Sequence, residues 1–278
     1  IYNPNAGSKS SKERGKIITL LSGVPDSMLL VTTKPLEAIS LTNAAIRDKA
    51  TKIIAVGGDG TINEVASALV GSNIPLGIIP IGSGNGLARH LQIPLTPSKA
   101  LAHALLNKTK RIDVGFINER PFFCTAGIGF DAQVAHQFAK NNKRGLINYI
   151  KATFITLYKF KPIVIHFEGK QEILFSFTIA NANQFGNNAY ISPFSNIQDG
   201  NIEIVRILPL SFWNAAIVGI KLFLKKIKHS KKVKIDTITQ YQVEYSVQQP
   251  MHMDGEAIFT SATSLNITIK PAALLVVA

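Results

Sequence analysis

The sequence predicts an α/β plus β protein: an N-terminal parallel-sheet α/β domain over residues 1–118, followed by a mostly antiparallel β-sandwich-like domain over residues 119–278. In the first half, apolar runs that resemble strands alternate with helical patterns, an order typical of a parallel sheet with helices on both faces. In the second half, short apolar runs separated by turns follow one another, which favours antiparallel pairing. The last strand could return to the first domain.

The elements of the first half follow from apolar periodicity and capping residues. Residues 52–56 are apolar without alternation, as expected for a strand covered on both faces. Thr61 and Glu64 have the spacing of a capping box, and Gly71 is placed to end that helix. The other predictions are strands over 1–2, 28–32 and 76–80, and helices over 11–21, 36–49 with Thr33 as cap, and 99–107.

In the second half, Gly127 and Gly129 follow the Gly-x-Gly-x-x-Ala dinucleotide pattern, but no βαβ unit follows them, so we assign no dinucleotide there. Helical patterns interrupt the strands near 148–158 and 212–228. The predicted strands are 121–125, 163–167, 172–180, 202–208, 232–239, 242–247 and 265–269.

The charge balance favours an anionic partner, because 30 Lys and Arg residues against 17 Asp and Glu residues give a net charge of +13. Basic and aromatic residues interleave poorly and no nucleic-acid motif is present, so no nucleic-acid partner is expected. The single cysteine, Cys124, excludes an internal disulfide and fits a reducing, cytoplasmic compartment. No apolar run reaches the roughly 18–20 residues that span a bilayer.

Three glycine-bounded turns, at residues 3–7, 57–61 and 80–86, each follow a predicted strand. A glycine turn between a strand and a helix leaves backbone N–H groups free to bind phosphate, so the three together predict one nucleotide cleft. Ser83 and Asn85 add hydroxyl and amide donors to the third turn. Taken alone, each turn also fits an ordinary loop, and no Walker A pattern exists.

Four acidic residues, Asp59, Asp199, Asp254 and Glu256, lie beside glycines in predicted turns. Phosphoryl transfer uses carboxylates as Mg²⁺ ligands and as a base for the attacking hydroxyl. Asp254 and Glu256 would share a face of an extended segment, with a metal or a proton between them. Taken alone, these acids are equally helix caps or solvated turn residues, and the neighbouring His252 is expected to be a surface or packing histidine.

Residues 212–234 combine aromatic and aliphatic residues with seven lysines. Such a basic amphipathic stretch could lie on an anionic membrane surface. The alternative is a packed helix with a solvated lysine face.

The order NPxxG, GGDGT-x-N-E, P-x-G-[ST]-x-N, G-x-G-F-D, D-G-x-hydrophobic and D-G-E spans almost the entire chain. It resembles the lipid kinase family of diacylglycerol and sphingosine kinases, relatives of NAD kinases and phosphofructokinases. The resemblance implies ATP- and Mg²⁺-dependent phosphorylation of a hydroxyl of a diacylglycerol- or sphingoid-like lipid. It also implies a cytoplasmic protein that associates peripherally with the membrane, and it is compatible with a homodimer.

The resemblance also implies roles for individual residues. Glu256 would accept the proton from the lipid hydroxyl, or Asp59 would. Independently of the resemblance, Asp254 is expected to orient its neighbour or a metal-bound water. Asp131 would contact the lipid head group, and Asp199 and Asn201 would match a Mg²⁺ site. ATP would lie against Asn3, Pro4, Gly7, Thr33, Gly57, Gly58, Asp59, Gly60, Thr61, Asn63 and Ser83, beside Asn85.

One departure leaves the acceptor lipid open. Many diacylglycerol kinases have the sequence G-T-x-N-D where this chain has Gly-Ser-Gly-Asn-Gly over residues 82–86. Gly86 therefore lacks the carboxylate found at that position, and the Gly-Ser-Gly-Asn sequence resembles that of sphingosine kinases. Two alternatives remain: a soluble-substrate kinase similar to NAD kinase, and a catalytically silent nucleotide- or lipid-binding sensor on the same fold.

Overall fold

The computed structural model describes residues 1–7, 9–140, 146–167, 169–245, 249–259 and 262–278. The chain forms two compact units, one of Ile1–Ile112 with Ala272–Ala278 and one of Asp113–Pro271. The first unit contains a parallel sheet with helices and the second contains antiparallel sheets, so the predicted α/β plus β class is confirmed.

The sheet of the first unit is parallel throughout its described pairs. Strands β1 (Ile53–Gly57) and β2 (Leu76–Pro80) pair in parallel, and Val276 in the last strand pairs in parallel with Leu76. On the other side of β1, Tyr2 forms parallel bridges to both Val31 and Val56. The predicted strands over 1–2 and 28–32 are therefore reduced to single bridges, while the prediction for β2 matches its bounds.

The helices of the first unit are α1 (Ser11–Ser22), α2 (Glu37–Arg47), α3 (Asp59–Leu69), α4 (Gly86–His90) and α5 (Pro97–Ala104). The predicted capping box of Thr61 and Glu64 is wrong, because α3 already begins at Asp59. The Glu64 carboxylate instead accepts hydrogen bonds from the N–H groups of Leu36 and Ala38, at 3.2 and 3.0 Å, and so caps α2. Thr33 does not cap α2; its N–H and hydroxyl donate to Glu37.

The second unit contains most of the remaining elements. They are β3 (Thr109–Ile117), β4 (Arg120–Phe122), β5 (Thr125–Gly129), α6 (Phe130–Ala139), α7 (Leu146–Lys159), β6 (Ile163–Phe167), β7 (Lys170–Leu174), β8 (Ser176–Ala180), β9 (Ile202–Ile207), α8 (Phe212–Phe223), β10 (Val233–Ile238), β11 (Gln240–Tyr245), β12 (Met251–Met253), β13 (Glu256–Ile258) and β14 (Ser264–Val277). Two of these strands, β3 and β14, contain residues of both units. One sheet has the order β10-β9-β8-β5-β12-β13; in the other, β11 lies between β14 and β6, and β6 pairs with β7.

Apolar side chains from both sheets form one buried cluster in the second unit. Ile128 and Phe177 come from the first of these sheets, and Ile165, Val243 and Leu265 come from the second. Two sheets that bury facing side chains in this way form a sandwich, with one core between them.

Several predicted elements of the second unit differ from those observed. The predicted strand 172–180 is two strands, because the chain passes at Phe175 from β7 in one sheet to β8 in the other. The predicted strand 121–125 is likewise divided between β4 and β5. Helix α6, which follows the strand that carries Gly127 and Gly129, was not predicted. The predicted helix 212–228 ends at Phe223, and residues 246–247 of a predicted strand lie outside the described part of the chain.

Candidate functional site

The three glycine turns, called here the first (3–7), second (57–61) and third (80–86) glycine loops, lie against one another in the first unit. A Cβ atom on Gly82 would lie 2.6 Å from the Cα atom of Gly58. A Cβ atom on Gly7, whose φ is 67°, would lie 2.3 Å from the carbonyl oxygen of Ile81. Side chains would therefore separate the loops, and glycine is required where the backbones cross.

Hydrogen bonds connect the same loops. Asn3 donates its side-chain amide to the hydroxyl of Thr61 at 2.9 Å, which joins the first loop to the second. Asp59 joins the second loop to the third: its Oδ2 accepts from the N–H of Asn85 at 2.8 Å and its Oδ1 from the N–H of Gly86 at 2.7 Å. This carboxylate therefore lies at the start of α4, where a negative charge is stabilised by the helix dipole.

Asn85 acts within the third loop. Its backbone has a φ of 54°, and its side-chain amide donates to the carbonyl oxygen of Gly82 at 2.8 Å. Its Oδ1 atom is buried and has no hydrogen-bond partner among the described residues. Arg89 donates its Nε–H to the carbonyl oxygen of Gly84, so its guanidinium lies against this loop. Ser83, between these contacts, is exposed.

The converging loops surround the start of α3. The first N–H groups of a helix have no carbonyl partner within the helix, and together with the helix dipole they form an anion site. Gly58 is the N-cap residue of α3, and Gly60 lies in its first turn, so small residues leave the backbone accessible. Asn63 is one turn further along and accepts from the hydroxyl of Ser67. Thr33 donates its hydroxyl to the carboxylate of Glu37.

In the second unit, Asp254 and Glu256 are separated by a tight turn, because Asp254 and Gly255 have φ values of 49° and 82°. The Asp254 carboxylate is buried and accepts three backbone N–H groups, from Phe123 (2.9 Å), Cys124 (2.7 Å) and Thr125 (3.1 Å). The expectation that both carboxylates share one face of an extended segment is therefore wrong. Asp254 holds the start of β5, whereas Glu256 is exposed at the first residue of β13.

Asp131 and His252 form a contact that was not predicted. The Oδ2 atom of Asp131 accepts from the hydroxyl of Thr178 at 2.7 Å and lies 3.1 Å from Nε2 of His252, which is 2% exposed. His252 is opposite Gly127 in the pairing of β12 with β5, and Asp131 follows β5 directly. No local pattern indicates this contact, because it depends on the pairing of two strands that are distant in sequence.

Asp199 and Asn201 form a small turn with a buried acidic neighbour. Asp199 accepts the N–H of Asn201 at 3.0 Å, and the N–H of Gly200 donates to the buried Asp113 at 2.8 Å. Burial raises the pKa of the nearby Glu203, and the charge of Asp199 raises it further, against a hydrogen bond from Ser195. Within the described ranges, no three His, Cys, Asp or Glu residues are grouped closely enough to hold a metal. A cation at this turn would therefore need carbonyl oxygens or water.

The rejected dinucleotide pattern has a structural explanation. The strand that carries Gly127 and Gly129 pairs in antiparallel fashion with both of its neighbours, β8 and β12, and so belongs to no parallel βαβ unit. A Cβ atom on Gly127 would lie 2.5 Å from the carbonyl oxygen of Phe177. These glycines allow close packing of strands.

Known proteins resemble this chain in sequence and in fold. A protein of Chromohalobacter salexigens named "Probable lipid kinase YegS-like" is 26% identical over 89% of this chain and 82% of its own length. A diacylglycerol kinase of Mycobacterium tuberculosis is 29% identical over 73% of this chain and 71% of its own.

Two solved structures share the fold. A diacylglycerol kinase from Bacillus anthracis matches with a TM-score of 0.71 and 19% identity, covering 99% of this chain and 94% of its own. An NAD kinase from Archaeoglobus fulgidus in complex with ATP matches with a TM-score of 0.52 and 13% identity, covering 98% and 90%.

Two family descriptions match consecutive parts of the chain. Residues 1–117 match the diacylglycerol kinase catalytic domain, and residues 124–278 match the YegS C-terminal NAD kinase beta sandwich-like domain. The second match alone covers more than half of the 278 residues. The chain therefore belongs to the family of diacylglycerol kinase and YegS-type lipid kinases.

Proposed function

We propose that this protein transfers the γ-phosphoryl group of ATP, with Mg²⁺, to a hydroxyl of a diacylglycerol- or sphingoid-like lipid. The convergence of the three glycine loops at the start of α3 is the observation that carries this proposal. The similarity in fold to an NAD kinase that binds ATP supports the nucleotide assignment.

The residues of the first unit bind and orient the nucleotide in this proposal. Backbone N–H groups at the start of α3 hold phosphate oxygens, and the exposed Ser83 adds a hydroxyl. Asn3 and Thr61 fix the first loop against the second, and Asp59 fixes the second against the third. The remaining residues that we assign to the nucleotide are Pro4, Gly7, Thr33, Gly57, Gly58, Gly60, Asn63 and Asn85.

The donor set is compatible with Mg²⁺ bound together with the nucleotide. Mg²⁺ in kinases is held by phosphates and water with one or two carboxylates, and so needs no closed cage of protein side chains. When bound, Mg²⁺ neutralises phosphate charge. We assign Asp199 and Asn201 to a second, supporting cation, with carbonyl oxygens or water completing its ligands.

We assign the proton acceptor to Glu256. The carboxylate of Asp59 accepts two backbone N–H groups and that of Asp254 accepts three, so both are already engaged in fixing the backbone. Glu256 is exposed at the start of β13. Asp131, held by Thr178 and His252, is assigned to the polar head of the acceptor.

The proposal places the protein at the cytoplasmic surface of a membrane, where ATP and the acceptor lipid are both available. In the ranges that the structure describes, no helix combines the length and the apolar character needed to cross a bilayer. In this proposal, the protein collects its lipid by peripheral contact with the membrane surface.

The test compares wild-type protein with Glu256→Gln, using radiolabelled ATP and diacylglycerol, sphingosine or NAD⁺ as acceptor. We expect transfer to a lipid, and a loss of roughly 10²–10⁴ in turnover for Glu256→Gln with unchanged ATP affinity. Full activity of Glu256→Gln would exclude it as the base. Transfer to NAD⁺ alone would establish the soluble-substrate kinase, and ATP binding without transfer to any acceptor would establish the sensor.

A further inference from the structure

Helix α8 is apolar on its exposed side as well as on its buried side. Val218 is buried, whereas the single tryptophan, Trp213, is 75% exposed. At 100° per residue, the exposed apolar residues lie on one stripe of about 140°, opposite Val218. The stripe consists of Phe212, Trp213, Ile217, Ile220, Phe223 and Leu224.

Such a helix is unusual at the surface of a protein. A surface helix normally presents polar side chains to water, and a helix that is apolar all round is normally buried. Contiguous exposed apolar surface marks an interaction site. The exposed stripe of α8 therefore indicates a binding partner that has an apolar layer.

Lysines follow the apolar stripe directly along the chain. Residues 212–234 contain seven lysines and no acidic residue. Lys225 lies 4.4 Å from the ring centre of Tyr190, and Lys228 lies 3.9 Å from that of the exposed Phe194, so further aromatic rings adjoin the basic segment. Apolar residues therefore predominate in α8 and lysines predominate after it, because the helix predicted over 212–228 ends at Phe223.

The end of α7 adjoins the start of α8. An apolar cavity of about 100 Å³ is lined by Leu157 and Phe160 near the end of α7 and by Leu210 and Phe212 at the start of α8. Two further α7 side chains, Phe154 and Tyr158, are exposed. Residues 146–161 contain lysines and no acidic residue, so the same combination of apolar and basic groups extends across the cavity.

We propose that α8, the lysine segment 225–234 and the end of α7 form a docking surface for an anionic phospholipid bilayer. The apolar stripe enters the boundary between head groups and acyl chains, and the lysines contact anionic head groups. A second copy of the chain is the poorer partner, because a two-fold contact through this surface would oppose two lysine clusters of the same sign. A role of this surface in catalysis rests on the proposed lipid kinase function. Binding of the surface to a bilayer does not depend on that function.

Trp213 reports directly on this contact because it is the only tryptophan. Its fluorescence is measured with vesicles of phosphatidylcholine alone and with vesicles that also contain phosphatidylglycerol, without ATP. We expect a blue shift, and quenching by brominated acyl chains, with the anionic vesicles. Added salt should weaken the binding, because it screens the lysines.

Charge-reversed variants test the basic part. Lys225→Glu, Lys226→Glu and Lys231→Glu together should weaken vesicle binding at least about 100-fold, at about fivefold for each lysine. The matched control is Lys49→Glu, Lys99→Glu and Lys108→Glu in the first unit. This triple variant makes the same change in net charge and should bind vesicles much more tightly than the first triple variant.

Serine substitutions test the apolar part of the surface. Ile217→Ser with Ile220→Ser tests the apolar stripe, and Phe154→Ser with Tyr158→Ser tests α7. Each pair should weaken vesicle binding while leaving Trp213 as probe.

An unchanged Trp213 spectrum with anionic vesicles, or equal losses in the two triple variants, would overturn the proposal. A concentration-dependent dimer that shields Trp213 in the absence of vesicles would also overturn it, in favour of a second copy. Phosphorylation of a dispersed short-chain lipid separates this test from the proposed function: we expect Lys225→Glu, Lys226→Glu and Lys231→Glu to keep it while losing activity on vesicles. A wild type that binds vesicles but transfers no phosphate would overturn only the kinase assignment.

Discussion

Replacing Asp59 with asparagine tests whether this residue joins the glycine loops or takes a proton. Its two carboxylate oxygens accept the N–H groups of Asn85 and Gly86 at 2.8 and 2.7 Å. An asparagine offers one acceptor oxygen, and its NH₂ group would face an N–H donor. Hydrogen bonds to charged groups contribute roughly 1.5–3 kcal/mol each when shielded. Because Asp59 is only partly buried, we expect a loss of about 2 kcal/mol in the free energy of unfolding.

The consequence for nucleotide binding is the second measurement. If Asp59 holds the third loop, Asp59→Asn should weaken ATP affinity at least about tenfold, since 1.4 kcal/mol corresponds to a factor of ten. Urea unfolding followed by circular dichroism gives the stability, and calorimetry gives the affinity. Asp48→Asn, at an exposed position after α2, removes the same charge and should change neither. Lost turnover with unchanged stability and ATP affinity would refute the loop role and make Asp59 the base.

Three further predictions concern packing, a buried carboxylate and pH. Gly82→Ala should weaken ATP binding and lower stability, because its Cβ atom would lie 2.6 Å from the Cα atom of Gly58. In the control, Gly219→Ala, the Cβ atom meets nothing within 4 Å, so neither ATP binding nor stability should fall. Calorimetry measures the ATP affinity of both variants, and thermal melting measures their stability. Asp254→Asn should lower the free energy of unfolding by about 2–4 kcal/mol, since buried N–H groups lose acceptors, and equal urea midpoints for Asp254→Asn and Glu256→Gln would contradict this. Because the pKa of Glu203 is raised in the folded state, ionisation of its carboxyl group destabilises the fold. This destabilisation is absent below about pH 4.3, the ordinary pKa of glutamate, and it grows as the pH rises from there through the folded pKa. Glu203→Gln should therefore stabilise the protein at pH 7 more than at pH 4, and a pH-independent difference in urea midpoint would count against it.

Elements defined by local apolar runs could be predicted well from the sequence. The predicted bounds of β2 and β6 agree with the observed strands, and α7 differs from its prediction by two residues at its start and one at its end. Helix α6 was missed because it directly follows β5 within a β-rich half, and the strands around it have the stronger sequence pattern.

The site residues were harder to interpret because their partners are distant in sequence. Glu64 has the spacing of a local capping box, yet its carboxylate binds N–H groups 26 and 28 residues earlier. Asp254 reaches N–H groups about 130 residues earlier, and His252 meets Asp131 across 121 residues. The sequence indicates that these side chains are available for polar contacts, but only the strand pairing determines which atoms they meet.

The return of the last strand to the first unit has a consequence for biosynthesis. Val276 pairs with Leu76, and Ala273 accepts the N–H of Gly71. Ala278 donates its N–H to Lys108 in the same unit. Domains generally fold in order as they leave the ribosome. Here, residues 1–112 leave the ribosome with β2 as an open sheet edge, and that edge is closed only after the rest of the described chain has been synthesised. We therefore expect the nascent first unit to expose the edge of β2 to aggregation until the last strand has been synthesised.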